Sequence, residues 1–92
     1  MIIVFGPKVV EDLRWFRDYH SGAAGKAIER YLRALDLLSS FPGLGRPLSD
    51  LDAREYVMPK TPFSLIYRVG PDNIEILRVW DQRTDRARLW MG

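Results

Sequence analysis

The sequence predicts an α+β domain of order β-α-α-β-β-β, with an N-terminal strand and a helical hairpin packed on a small antiparallel sheet. Three observations predict it. A short apolar run, Ile2 to Phe5, is closed by Gly6-Pro7. Apolar residues then recur at helical spacing as far as Leu38, broken once at His20-Ser21-Gly22. From Arg54 onward the pattern becomes short β-branched and aromatic runs separated by Pro and Gly turns. With 92 residues, 47% hydrophobic and 28% charged, the chain suits one soluble domain over residues 1–92.

Each element has a local cause. Ile2 to Phe5 reads as a buried strand that joins the sheet, because an isolated strand would leave its backbone groups unpaired. Pro7 suits the first turn of a helix, where its missing N–H costs nothing. Val10, Leu13, Phe16 and Arg17 follow helical spacing, with Glu11 and Asp12 near the positive end of the helix dipole. In the second helix Ala24, Ala27, Ile28, Tyr31, Leu35 and Leu38 form one stripe, and so short a break predicts an antiparallel αα-hairpin. Phe41-Pro42-Gly43-Leu44-Gly45-Arg46-Pro47 stops that helix and opens a packed surface loop anchored by Leu44, Leu48 and Leu51.

Strands are then expected at Arg54 to Met58, Phe63 to Val69 and Asn73 to Asp81, the last two joined by Gly70-Pro71-Asp72. Pairing Val69 with Ile74 makes Arg68 and Glu75 a cross-strand ion pair and sets Leu65 opposite Arg78. In that register one face carries Leu65, Tyr67, Val69, Ile74, Ile76, Arg78 and Trp80. The other carries Ile66, Arg68, Glu75, Leu77, Val79 and Asp81. Both faces are partly apolar, so both are expected to be covered.

Composition removes several chemistries. Cysteine is absent and histidine occurs once, which excludes disulfides, thiolate or multi-histidine zinc sites and a cysteine nucleophile. No metal or cofactor is expected. The apolar start is too short for a signal sequence, and no run approaches a membrane span, so a cytoplasmic protein that does not engage membranes is the expectation. Net charge is only +2, but the bases are 11 Arg against 3 Lys, and arginine suits bidentate contact with phosphate and carboxylate.

The sharpest polar cluster is Asp81-Gln82-Arg83-Thr84-Asp85, with Arg78 and Trp80 before it and Arg86 and Arg88 after it. Polar groups at a rigid strand end are well placed for a site, although Asp81 can equally pair locally with Arg83. Arg78 on a mostly apolar strand needs an anionic partner, whether a carboxylate of this chain, a phosphate or another protein. Trp80 could stack on a base or simply pack. His20 is the only imidazole, and its place at a helix end is explained by the dipole without a catalytic role. Arg46 and Arg54, beside turn residues, read as braces of the loop.

Three stretches together resemble one family. They are Pro7 with Glu11-Asp12-Leu13, the Phe41 to Pro47 loop, and Pro62 to Val69 leading into Ile74 to Arg83. The pattern is similar to the RelE/ParE superfamily of toxins from bacterial type II toxin–antitoxin systems, closer to ParE-like members. The resemblance implies a toxin neutralised by a cognate antitoxin in a hetero-oligomer, and an apolar groove flanked by arginines is expected to receive it. ParE-like members poison DNA gyrase and are not nucleases; RelE-like members cut mRNA on the ribosome. For a nuclease, Lys60, Arg68, Arg78, Asp81 and Arg83 are the candidate catalytic groups. Asp81 stands where many members have His, and an aspartate near its usual pKa of about 3.9 is a poor general acid. That favours gyrase poisoning, with a target- or antitoxin-binding surface of Arg78, Trp80, Arg83, Arg86, Arg88 and Trp90. An inactive, antitoxin-binding relative is the third reading.

Overall fold

The computed structural model describes residues 2–19, 24–48 and 52–83, with side chains of 15–19 and 24–27 not included. The elements are β1 (Ile2–Phe5), α1 (Val9–Tyr19), α2 (Ala24–Ser40), β2 (Arg46–Pro47), β3 (Arg54–Val57), β4 (Phe63–Val69) and β5 (Asn73–Asp81). One five-stranded sheet has the order β1-β5-β4-β3-β2. The α+β class and the succession of strand, two helices and meander agree with the sequence reading.

Several details differ. β1, expected to be a buried strand, is an edge strand with Ile2, Val4 and Phe5 exposed. The sheet is mixed, because β1 runs parallel to β5 with Ile3 beside Ile74 and Phe5 beside Ile76. β2, β3, β4 and β5 alternate in direction, which leaves β5 running the same way as β1. Arg46–Pro47, expected within a loop, forms a two-residue strand against Arg54 and Glu55 of β3. In α1, Val9 is buried and Val10 is 59% exposed, so the inward face is phased on Val9 and Leu13.

The largest difference is a β-bulge. Val69↔Ile74, Arg68↔Glu75 and Tyr67↔Ile76 pair as expected, but Ile66 then faces Arg78 and Leu65 faces Val79. Leu77 is the extra residue. A one-residue slip moves every later side chain to the other face. Val79 thus joins the core with Leu65, while Arg78 and Trp80 turn to the opposite face, the reverse of the expected assignment.

Both faces are covered. Against the helices lies the main core of Val9, Tyr31, Ala34, Leu38, Met58, Phe63, Leu65, Tyr67, Ile74, Ile76 and Val79, with Ile28 and Leu35 of α2 packed on it. On the reverse face Leu48, Ile66 and Trp80 form a second cluster, joined by Ala53 and Leu77. The chain's own loop supplies Leu48, so that face needs no partner to bury its tryptophan.

A hydrogen-bonded brace fixes the loop between the layers. The Tyr67 hydroxyl, fully buried, donates to the Pro42 carbonyl at 2.7 Å and accepts from the Gly45 N–H at 2.8 Å. Burial raises the Tyr67 pKa above the usual tyrosine value, opposed in part by the Gly45 N–H and the nearby Arg54 charge. Arg54 donates to the Gly45 carbonyl at 2.7 Å, and Arg46 reaches Glu55 at 2.6 Å. The buried Glu55 carboxylate also accepts from Ser64 at 2.7 Å. Arg46 and Arg54 are braces, as expected from their place beside turns.

Candidate functional site

The strand end that the sequence singles out is internally paired. The bulge aims Arg78 toward the edge of β5 beyond the last residue of β1, where α1 begins. There Asp12 receives it in a bidentate pair, Nε to Oδ2 at 2.8 Å and Nη2 to Oδ1 at 2.9 Å. The same carboxylate accepts the Val79 N–H at 3.0 Å, satisfying an edge group that no strand covers. Both side chains are nearly buried, at 13% and 11% exposure. The Arg78 guanidinium lies 5.2 Å from the Trp80 ring centroid, and that ring is packed in the reverse-face cluster. Arg78 and Trp80 thus tie α1 to the sheet.

Asp81 and Arg83 also meet each other. Arg83 donates from Nε at 2.9 Å and Nη2 at 2.8 Å, and its backbone N–H caps the same carboxylate at 2.9 Å. This is the local pair that the sequence allowed as an alternative to a site, although the Arg83 side chain is 55% exposed and retains a solvent face.

The other candidates lie elsewhere. Lys60 occupies the β3–β4 turn with φ 64°, the left-handed region. That turn adjoins the Asp81 end of the sheet, where the Gln82 N–H donates to the Pro62 carbonyl at 2.9 Å. Arg68 sits toward the opposite end, separated along β4 from Phe63 by about 16 Å at ~3.3 Å per residue. It faces Glu75 at 3.6 Å, the expected cross-strand pair, and Asp52 at 3.7 Å. Both contacts are exposed and contribute little stability. The five nuclease candidates therefore do not converge on one point. Arg86, Arg88, Trp90 and His20 lie outside the described residues.

Helix α2 supplies what the strand end does not. Its Ile28, Tyr31 and Leu32 meet Val10, Leu13 and Arg14 of α1 around an open apolar groove of about 350 Å³. Val10 and Leu32 expose 59% and 57% of their surface on its rim. The Tyr31 hydroxyl is buried with no hydrogen-bond partner among the described residues, and burial pushes its pKa up to about 12. Sequence periodicity placed Tyr31 in the core stripe; it could not show that its polar tip would be left unmet.

Residues 3–86 match the family profile described as the ParE toxin of the type II toxin–antitoxin system parDE. The chain belongs to the ParE toxin family. That family lies within the superfamily which the sequence motifs resemble. A protein of Sinorhizobium fredii (strain NBRC 101917 / NGR234) named "Putative toxin Y4kP" is 37% identical over 57 residues, 62% of this chain. The aligned part spans 58% of that protein's length. The fold of this ParE-family chain is also similar to a solved chain titled "Chromosomal ParDE TA system from P. aeruginosa". That likeness has a TM-score of 0.64 and 24% identity, covering 86% of this chain and 92% of the other. Among the described residues no helix is long and apolar enough to cross a membrane.

Proposed function

We propose that this ParE-family toxin blocks replication by poisoning DNA gyrase in the cytoplasm, and that a cognate antitoxin neutralises it in a hetero-oligomer. The observation that carries the antitoxin reading is the groove between α1 and α2. It is apolar, open, rimmed by Val10 and Leu32, and flanked by Arg14. An apolar segment laid there would remove exposed hydrocarbon from water at roughly 25 cal/mol per Å².

Gyrase is favoured over RNA because the candidate cleavage groups are engaged or dispersed. RNA cleavage by transfer to the 2′-hydroxyl needs a base, an acid and a cation around one phosphate. Here Asp12 holds Arg78, Arg83 holds Asp81, and Arg68 stands about 16 Å along the sheet. The target surface in this reading includes the exposed face of Arg83 together with Arg86, Arg88 and Trp90.

Two experiments test the two halves. Pulse-labelling after induction should show DNA synthesis stopping while translation continues; translation stopping first would instead support ribosome-dependent mRNA cleavage. An effect on neither would indicate an inactive relative. Replacing Val10 and Leu32 with glutamate should abolish rescue by the product of the adjacent antitoxin reading frame. Unchanged rescue by a folded double variant would move the antitoxin off this groove.

A further inference from the structure

The opposite flank of α2 carries a second, different surface. Arg30, Arg33, Ala34 and Leu37 face Tyr56, Pro59 and Lys60 across a pocket of about 220 Å³ between the helix and the β3–β4 turn. At 100° per residue these helix positions lie on the side away from Ile28, Tyr31 and Leu32. The pocket has two notable properties. Ala34, Leu37, Pro59 and Tyr56 give it an apolar lining. Its charged lining is entirely cationic, with Arg30, Arg33 and Lys60 and no carboxylate.

These cations differ from those of the sheet and its loop. Arg46, Arg54, Arg68, Arg78 and Arg83 each have a carboxylate or carbonyl partner within the chain. No ion pair or side-chain hydrogen bond joins Arg30, Arg33 or Lys60 to any described residue. Lys60 is held in a left-handed conformation, φ 64°, in the turn that lines the pocket opposite the helix. Arg30 and Arg33 are separated by about 4.5 Å of helix rise, a spacing that two carboxylates one turn apart on a partner helix would match.

We infer that this pocket is a protein-docking site for an acidic, partly apolar segment, with two carboxylates meeting Arg30, Arg33 and Lys60 and an adjoining apolar side chain meeting Leu37. Phe41 continues the apolar part. It lies one turn beyond Leu37, to whose carbonyl its N–H donates at 2.8 Å, and it is 61% exposed. The occupant therefore has its charge toward Arg30 and its hydrocarbon toward Phe41. A nucleic-acid backbone fits less well. Glu29 and Asp36 are exposed on the same helix beside the two arginines and would repel an extended polyanion, whereas a short acidic segment can avoid them.

The test uses the full chain and four probes, followed by amide chemical shifts at low salt. They are an alanine-based helical peptide with two glutamates one turn apart followed by two leucines, its glutamine counterpart, a single-stranded oligonucleotide and inorganic phosphate. The acidic peptide should shift residues 30–41 and 56–61 and saturate. The glutamine peptide, or the variant Arg33→Gln with Lys60→Gln, should bind about tenfold more weakly, equivalent to losing about 1.4 kcal/mol of charge-assisted hydrogen bonding. Shifts from the oligonucleotide or phosphate without the peptide would overturn the inference in favour of a phosphate site. Peptide shifts confined to Val10, Leu13 and Leu32 would mean apolar adsorption in the other groove, and no shifts would mean no site. None of these variants alters the α1–α2 groove, so antitoxin rescue reports separately on that reading.

Discussion

The arginines of the sheet and those of α2 belong to one chain but meet opposite fates. On the sheet and its loop, guanidinium groups are held by the fold itself: Arg78 by Asp12, Arg46 by Glu55, Arg54 by the Gly45 carbonyl. Along α2 and the turn beside it, Arg30, Arg33 and Lys60 have no ion pair or side-chain hydrogen bond with any described residue. The difference teaches where to look for function in a small basic protein. A cation enclosed by the chain must be neutralised by the chain or it destabilises the fold. A cation at the rim is cheap to leave unpaired, and there it can serve a partner.

The comparison predicts opposite consequences of mutation. The largest is expected at Asp12. Asp12→Ala leaves the Arg78 charge nearly buried and the Val79 N–H unpaired, and should cost ~3 kcal/mol in denaturant unfolding. Adding Arg78→Met should recover much of that, because removing both partners leaves no uncompensated charge. A cost below about 1 kcal/mol for Asp12→Ala would place this pair with the surface ion pairs and erase the contrast.

Next comes the loop that Arg54 clamps. A methyl at Gly45 would lie 2.7 Å from the Tyr67 hydroxyl and 2.9 Å from the Glu55 carbonyl. Tyr67 is fully buried and tied to Pro42, so it cannot yield freely. Gly45→Ala should therefore destabilise the domain by about 2 kcal/mol, read as a lower denaturation midpoint with an unchanged slope.

These sites also show how far the sequence could be read. The helix stripe, the turn at Gly70-Pro71-Asp72 and the Arg68–Glu75 pair were legible because local chemistry determines them. The bulge was not, because Leu77 and Val79 are both apolar and simple alternation tolerates either register. One signal did point to it: the unbulged pairing sets Arg78 against Leu65 on the core face, and slipping by one residue replaces that charge with Val79. Val9 and Val10 pose the same problem, since two adjacent valines leave the phase of α1 open by one residue. Asp12 was read as a helix-dipole carboxylate; its second role needed the tertiary approach of β5. Arg30 and Arg33 lay off the apolar stripe, yet only the structure showed Lys60 facing them.

Tyr31 extends the contrast from cations to an unmet hydroxyl. Its folded-state pKa of about 12 lies above the ordinary 10.0, so the folded state holds its proton after the unfolded chain has released it. Stability from this group is complete below pH 10, then falls as pH rises toward 12, by roughly 2 kcal/mol. Tyr31→Phe should remove that alkaline loss while leaving stability at neutral pH unchanged or slightly higher, because the buried hydroxyl has no partner among the described residues to lose. A marked loss at neutral pH would mean that the hydroxyl is already satisfied in the free protein.

The smallest stability effect is expected where the proposed binding effect is largest. Arg33→Gln removes a charge that no described residue uses, so its unfolding free energy should stay within about 0.5 kcal/mol of the parent. Lys60→Gly should, if anything, stabilise, because glycine adopts φ 64° without the clash that a Cβ brings. Yet both changes should weaken the acidic peptide. If either one instead destabilises the domain by as much as Asp12→Ala, the cations of α2 and its neighbouring turn are as structural as those of the sheet. The distinction between enclosed and rim charges would then fail at the place where it carries most weight.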